Sequence, residues 1–218
     1  MDQDVPITNL ASYTAFTTAF IASETVTIQV KGRTGLKQGS LHKTTVDYSK
    51  HVTLAALNKL AGFNISSFSI KLSPEADGTN MLGEVSIPNP SIFTIAMGNV
   101  TFLNFLPATA STPRTEIGTA SLADFTLVPG LNKVPMRSKI NQTAVITALQ
   151  TTYKDGVMPV EIVGDSAVYD GQHLPYYENA LKGFSKEVKL DVGAALKETG
   201  VDLKVLAGAT GGGAPPPS

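Results

Sequence analysis

Cysteine and tryptophan are both missing from this 218-residue chain. Without cysteine there are no disulfides, no thiolate metal centres and no thiol catalysis, and the redox state of the compartment leaves no mark. Charge is scarce as well. Only 16% of residues carry one, below the roughly 25% common in soluble domains. The 17 Lys and Arg nearly cancel the 18 Asp and Glu, so a net charge of -1 offers no basic field to nucleic acid. Residues 5–23 and 85–113 carry no charge at all, yet a membrane span needs about 20 mostly apolar residues. The first stretch is diluted by Thr8, Asn9, Ser12, Thr14, Thr17 and Thr18. The second is broken by Pro88, Pro90 and Pro107 and by Asn89, Asn99 and Asn104. No basic segment precedes an apolar core, so no signal peptide is expected. The anchor of a membrane-bound parent would lie outside this chain.

What is present is enough apolar material, 42% of residues, for a real core. The length suits one large or two small domains at about 100–200 residues each. Strand periodicity dominates. Residues 25–31 (TVTIQVK) put Val26, Ile28 and Val30 on one face and polar residues on the other. Residues 186–192 do the same with Val188, Leu190 and Val192. Phe68, Ile70 and Leu72 form a third set, Phe93, Ile95 and Met97 a fourth, and Met158, Val160 and Ile162 a fifth. Residues 100–106 read as apolar on both faces, which predicts a central strand covered on both sides. Turn signals fall at Ala76-Asp77-Gly78, Gly98-Asn99, Pro129-Gly130, Asp155-Gly156 and Asp170-Gly171. Short strands so spaced predict an antiparallel sandwich rather than a parallel α/β sheet.

Two or three short helices are expected. Val145, Leu149 and Tyr153, with Ala148 beside them, make a stripe over residues 143–153, and Tyr13, Phe16 and Phe20 share a helical spacing near the start. Residues 54–61 suit a short helix or a strand. Residues 8–31 and 143–164 both run helix then strand, an echo of an internal repeat or a coincidence of common patterns. The chain therefore divides into a helix and strands over 1–61, the end of a preceding unit or an N-terminal extension; a sandwich over 62–192; a short segment over 193–206; and a flexible Gly/Pro linker over 207–218.

Ile87-Pro88-Asn89-Pro90 cannot sit in a central strand paired on both sides, since each proline lacks an N–H. It suits a strand that crosses between sheets, or a bent edge. The Asn89 amide either bonds neighbouring backbone and fixes the crossover or is displayed for recognition.

Several short motifs occur in one order: GEVSIPNPSIFTIAMGNVTF over 83–102, Ile117-Gly118-Thr119-Ala120, PGLNKVPM over 129–136, PVEIVG over 159–164 and YDGQHL over 169–174. Together they make roughly residues 20–192 resemble a fungal domain family of unknown function found in large membrane-anchored proteins, some of them vacuolar. That family looks distantly similar to the late-embryogenesis-abundant type-two (WHy) sandwich, which shares the Asn-Pro element and a later Pro-Gly turn. The resemblance implies a fibronectin-like sandwich of seven or eight strands and brings no catalytic residue with it. The connection over 107–115 is longer than the family pattern leads one to expect.

A search for chemistry finds little. There is no nucleophile elbow; Gly164-Asp165-Ser166 lacks the second glycine, so Ser166 reads as a turn or strand-edge residue. There is no phosphate or dinucleotide fingerprint, and residues 32–39 read as a glycine-rich hairpin loop. His42, His51 and His173 are not at metal-ligand spacing. Residues 75–80 faintly suggest a calcium loop without its spacing and read as a turn. No carboxylates can be assigned acid and base roles. No metal, cofactor or catalytic residue is therefore expected. Tyr169, His173, Tyr176 and Tyr177 form the one polar-aromatic cluster, either an interaction surface or a turn folded onto the core edge. Asn64, Asn99 and Asn141 head glycosylation sequons, with Asn99 the best placed because it follows a predicted turn.

The expectation is a non-catalytic β-sandwich module of a larger membrane-anchored protein in a vacuolar or secretory lumen. It would act as a scaffold or interaction surface, for a protein partner or for neighbouring repeats. The alternative is binding of lipid or another apolar ligand between the sheets.

Overall fold

The computed structural model describes residues 6–201; the expected linker from residue 207 lies outside them. The described chain is mainly antiparallel β, with four α-helices. Asn9 caps α1 (Leu10–Ala22), its Oδ1 accepting from the Ser12 N–H at 2.9 Å. Strands β1 (Thr25–Leu36) and β2 (Thr44–Ala55) form a long hairpin of their own. A short 3-10 turn, Asn58–Leu60, leads into β3 (Asn64–Ile70). The remaining strands are β4 (Met81–Asn89), β5 (Ile95–Leu106), β6 (Thr115–Leu127), β7 (Gly130–Ile140), β8 (Val157–Tyr169), β9 (Gln172–His173) and β10 (Ser185–Asp191). Helix α2 (Gln142–Thr151) precedes β8, α3 (Pro175–Lys182) precedes β10, and α4 (Val192–Glu198) follows it.

Hydrogen bonding orders the large sheet β10-β8-β5-β6-β7-β4-β3. It closes over itself because one ladder is short. β6 and β7 pair only from Gly118↔Ile140 to Ser121↔Arg137. Beyond that, β6 follows β5 as far as Leu127 and β7 follows β4 as far as Gly130. Two layers result, β3-β4-β7 and β6-β5-β8-β10, with one hydrophobic core that also takes in Phe20 and Ile21 of α1. Their outer strands, β3 and β10, are not paired with each other.

The Ile-Pro-Asn-Pro segment makes the crossing. β3 reaches only as far as Ser86 on β4, so Pro88 lies past its end, where a missing N–H leaves no ladder bond unmade. Asn89 is buried, and its amide ties the crossover down. Nδ2 donates to the Phe93 and Leu127 carbonyls at 2.8 and 3.3 Å, and Oδ1 accepts from the Ser91 N–H and hydroxyl at 3.0 and 2.7 Å.

Several local expectations are corrected. Gly98-Asn99 is no turn but a bulge inside β5, where Gly98 has φ +68° and an added Cβ would lie 2.2 Å from the Val168 carbonyl. Gly32 and Gly35 belong to β1, and the hairpin loop begins only after Leu36. Phe93 precedes β5, Leu72 lies past β3, and Val192 opens α4 instead of closing a strand. β5 is central as expected, but its inward face carries Asn104 and its outward Thr101, Leu103 and Phe105 are only half-buried. Residues 54–61 are split between the end of β2 and the 3-10 turn.

Candidate ligand-binding cleft

At the unpaired β3/β10 edge the two layers enclose a cavity of about 80 Å³. One water needs roughly 10–15 Å³ of such space. Phe68 and Ile70 of β3 face Met158, Val160 and Ile162 of β8 and Leu190 of β10 across it. Strand alternation sends these residues inward. Two helices cover the ends, α2 with Val145 and Ile146 and α4 with Val192 and Leu196. Both start on a side-chain cap: Asn141 Oδ1 accepts from the Ala144 N–H at 3.1 Å, and Asp191 Oδ1 from the Ala194 N–H at 2.8 Å. Leu72, half exposed, stands at the rim.

Three amides and no charged side chain interrupt this apolar lining. Two of the amides are committed. Asn80 holds Ile140 through both its atoms, at 2.7 and 2.8 Å, and Gln142 Nε2 donates to the Lys71 carbonyl at 2.8 Å. The third, Asn104, is 3% exposed and sits in register between Gly118 of β6 and Ile162 of β8. Its side chain has no hydrogen bond among the described residues. Sequence reasoning missed it. The available signal was one amide on the inward face of a strand otherwise lined by Val100 and Phe102.

The polar-aromatic cluster is only partly assembled. Tyr176 and Tyr177 are half-buried under α1, with Tyr13 meeting Tyr176 edge-on at 4.9 Å. Burial, and then Tyr13, push both phenols above the ordinary tyrosine value. Tyr169 and His173 are exposed. His173 Nδ1 lies 2.5 Å from Glu178 Oε1. Burial works to raise the Glu178 carboxyl, but His173 and the Ala167 N–H outweigh it and hold it below its usual range. The contacts anchor α3. All three sequon asparagines are exposed. Asn99, in the β5 bulge, accepts from the Asp124 N–H at 3.1 Å, and Asn141 is the α2 cap, whereas Asn64 makes no side-chain hydrogen bond among the described residues. His42 and His51 are exposed on the hairpin.

Several other charges form local pairs. Lys71 and Arg137 both meet Glu75, and Arg137 also meets Asp77 at 3.0 Å. Lys71 and then Arg137 depress the Glu75 carboxyl; the Thr79 N–H and then Arg137 depress that of Asp77. Arg114 binds Glu161 at 2.6 Å and lies 3.4 Å above the Phe105 ring, docking the long 107–115 connection onto β8. Among the described residues no group of three His, Asp or Glu is disposed to hold a metal, and no helix is long and apolar enough to cross a membrane.

In comparison with known proteins, one family model matches part of the chain. A model described as a protein of unknown function, DUF3712, matches residues 1–104, from the N-terminal helix through most of β5. No curated protein matches the chain. Among solved structures, the chain is similar to AT1g01470 from Arabidopsis thaliana, known from a solution structure. Identity is 14%, coverage is 59% of this chain and 75% of that one, and the TM-score is 0.33.

Proposed function

We propose that this protein is a non-catalytic binding module that holds an apolar ligand between its two β layers. The cavity at the β3/β10 edge carries this reading: at about 80 Å³ it is smaller than the roughly 300–1,000 Å³ of most small-molecule sites, but its lining is almost wholly apolar and it opens where no strand ladder has to break. A well-packed sandwich would have filled that space with side chains. The test is to extract the purified protein with organic solvent and to titrate the stripped protein with 1-decanol by calorimetry. Saturable one-to-one binding, weakened by the cavity-filling change Val160→Phe, supports the proposal. Absence of binding by a correctly folded protein refutes it.

A second reading, a surface for a protein partner or a neighbouring repeat, is favoured by the hairpin. One face of it runs Val26/Leu54, Ile28/Val52, Val30/Lys50, Gly32/Tyr48 and Thr34/Val46. The stripe starts in the core, then leaves it with Val30, Tyr48 and Val46 exposed. A two-stranded ribbon gains little stability by itself. A lumenal placement of a membrane-anchored parent would suit both readings.

A further inference from the structure

We infer that the ligand carries one uncharged hydrogen-bonding group, a hydroxyl or an ester carbonyl, and that this group enters first and pairs with Asn104. The inference rests on the cleft reading above and adds the chemical class of the ligand.

Of the eight buried polar side chains among the described residues, six have hydrogen-bond partners: Thr17, Thr79, Asn80, Asn89, Ser91 and Asn132. Asn104 and Ser138 show none among the described residues; the Ser138 hydroxyl is sealed in the core, while the Asn104 amide keeps some accessible surface toward the cavity. The Asn104 amide has no protein partner in this apolar lining, and a leucine there would bury more apolar surface. Asn104 also has both a donor and an acceptor to offer, so a hydroxyl satisfies either and a carbonyl satisfies the donor. A carboxylate or ammonium head is disfavoured. No charged side chain lines the cavity, and an unpaired buried charge costs far more than a buried dipole. Asn104 lies on the central strand, with β8 and β10 between it and the open edge. The polar end of the ligand therefore leads, and its chain trails past Ile162 and Leu190 toward Leu72 at the rim.

The test uses four probes of equal chain length: decane, 1-decanol, methyl decanoate and decanoate, titrated at pH 8 against the full chain and against Asn104→Leu. The wild type should bind decanol and the methyl ester about 3- to 10-fold tighter than decane, the increment of one neutral buried hydrogen bond, and decanoate weakest. Asn104→Leu should bind decane and decanol alike while melting no lower than the wild type. An unchanged decanol-to-decane ratio in the variant overturns the inference. So does a wild type that does not distinguish the two, a result that needs no variant to fold. Binding of decane alone leaves the cleft reading standing and this one refuted. Failure of all four probes overturns both.

Discussion

Three polar residues in one core are expected to respond to substitution in opposite directions. Asn89 satisfies four neighbouring groups across two loops, and Asn89→Ala leaves the Phe93 and Leu127 carbonyls and the Ser91 N–H without it. At about 1–3 kcal/mol for a buried orphan, a loss of about 3 kcal/mol is expected in urea unfolding. A loss under 1 kcal/mol would mean that the crossover is held by something else. Ser138 is the reverse case. Its hydroxyl is fully buried with no partner, so Ser138→Ala removes a desolvated dipole and leaves almost no void. A gain of about 1 kcal/mol is expected; a clear loss would show that the hydroxyl is bonded in solution. Asn104 resembles Ser138 in being unpartnered and Asn89 in being placed with purpose, which is why ligand and stability should move apart when it is changed.

At the scale of elements, α3 is seated by a glycine. A Cβ on Gly164 of β8 would stand 2.5 Å from the Leu181 carbonyl, a backbone atom that cannot swing aside. Gly164→Ala should therefore push α3 off β8 and cost about 1–3 kcal/mol. Circular dichroism and a melt will show it; an unchanged melting temperature would mean that α3 is loosely held. Because α1 rests on α3 through the Thr17 hydroxyl bond to the Tyr176 carbonyl at 2.9 Å, hydrogen exchange in α1 should quicken in the same variant.

How far such elements could be read from sequence depended on their periodicity. β8 and β10 alternate cleanly, and α2 carries a buried stripe ending in Ala148 and Leu149, so all three were legible. Asn89 was legible because two flanking prolines left its amide few roles. Helices α3 and α4 were not. α3 is eight residues opening on Pro-Tyr-Tyr, and α4 is seven that begin as a strand ends, each too short to show a period. In the sequence the bulge at Gly98 looks like a turn because both need positive φ from glycine; only the β8 partner tells them apart. The cleft was legible as a class of possibility between two sheets, but its location was not, since it depends on β6 and β7 parting after Ser121.

For the whole molecule, acid is the expected weakness. Glu75, Asp77, Glu161 and Glu178 are all held below their usual values, the first by Lys71, the second by the Thr79 N–H, the third by Arg114 and the last by His173 against its own burial. Carboxyls with depressed folded-state values contribute stability above the unfolded value of about 4 and lose it as pH falls through the folded one. The urea midpoint should thus hold steady from neutrality to about pH 5 and fall on further acidification. A midpoint that rises with acid would contradict the pairing. The layers themselves do not depend on these surface ions, so salt should change little near neutrality.

The cleft stands or falls most directly on an NMR titration of isotope-labelled protein with 1-decanol. The Asn104 side-chain amide and the methyls of Val160, Ile162 and Leu196 should shift together and saturate at one equivalent. Shifts confined to the exposed hairpin, or none in the four cleft residues, would contradict the account.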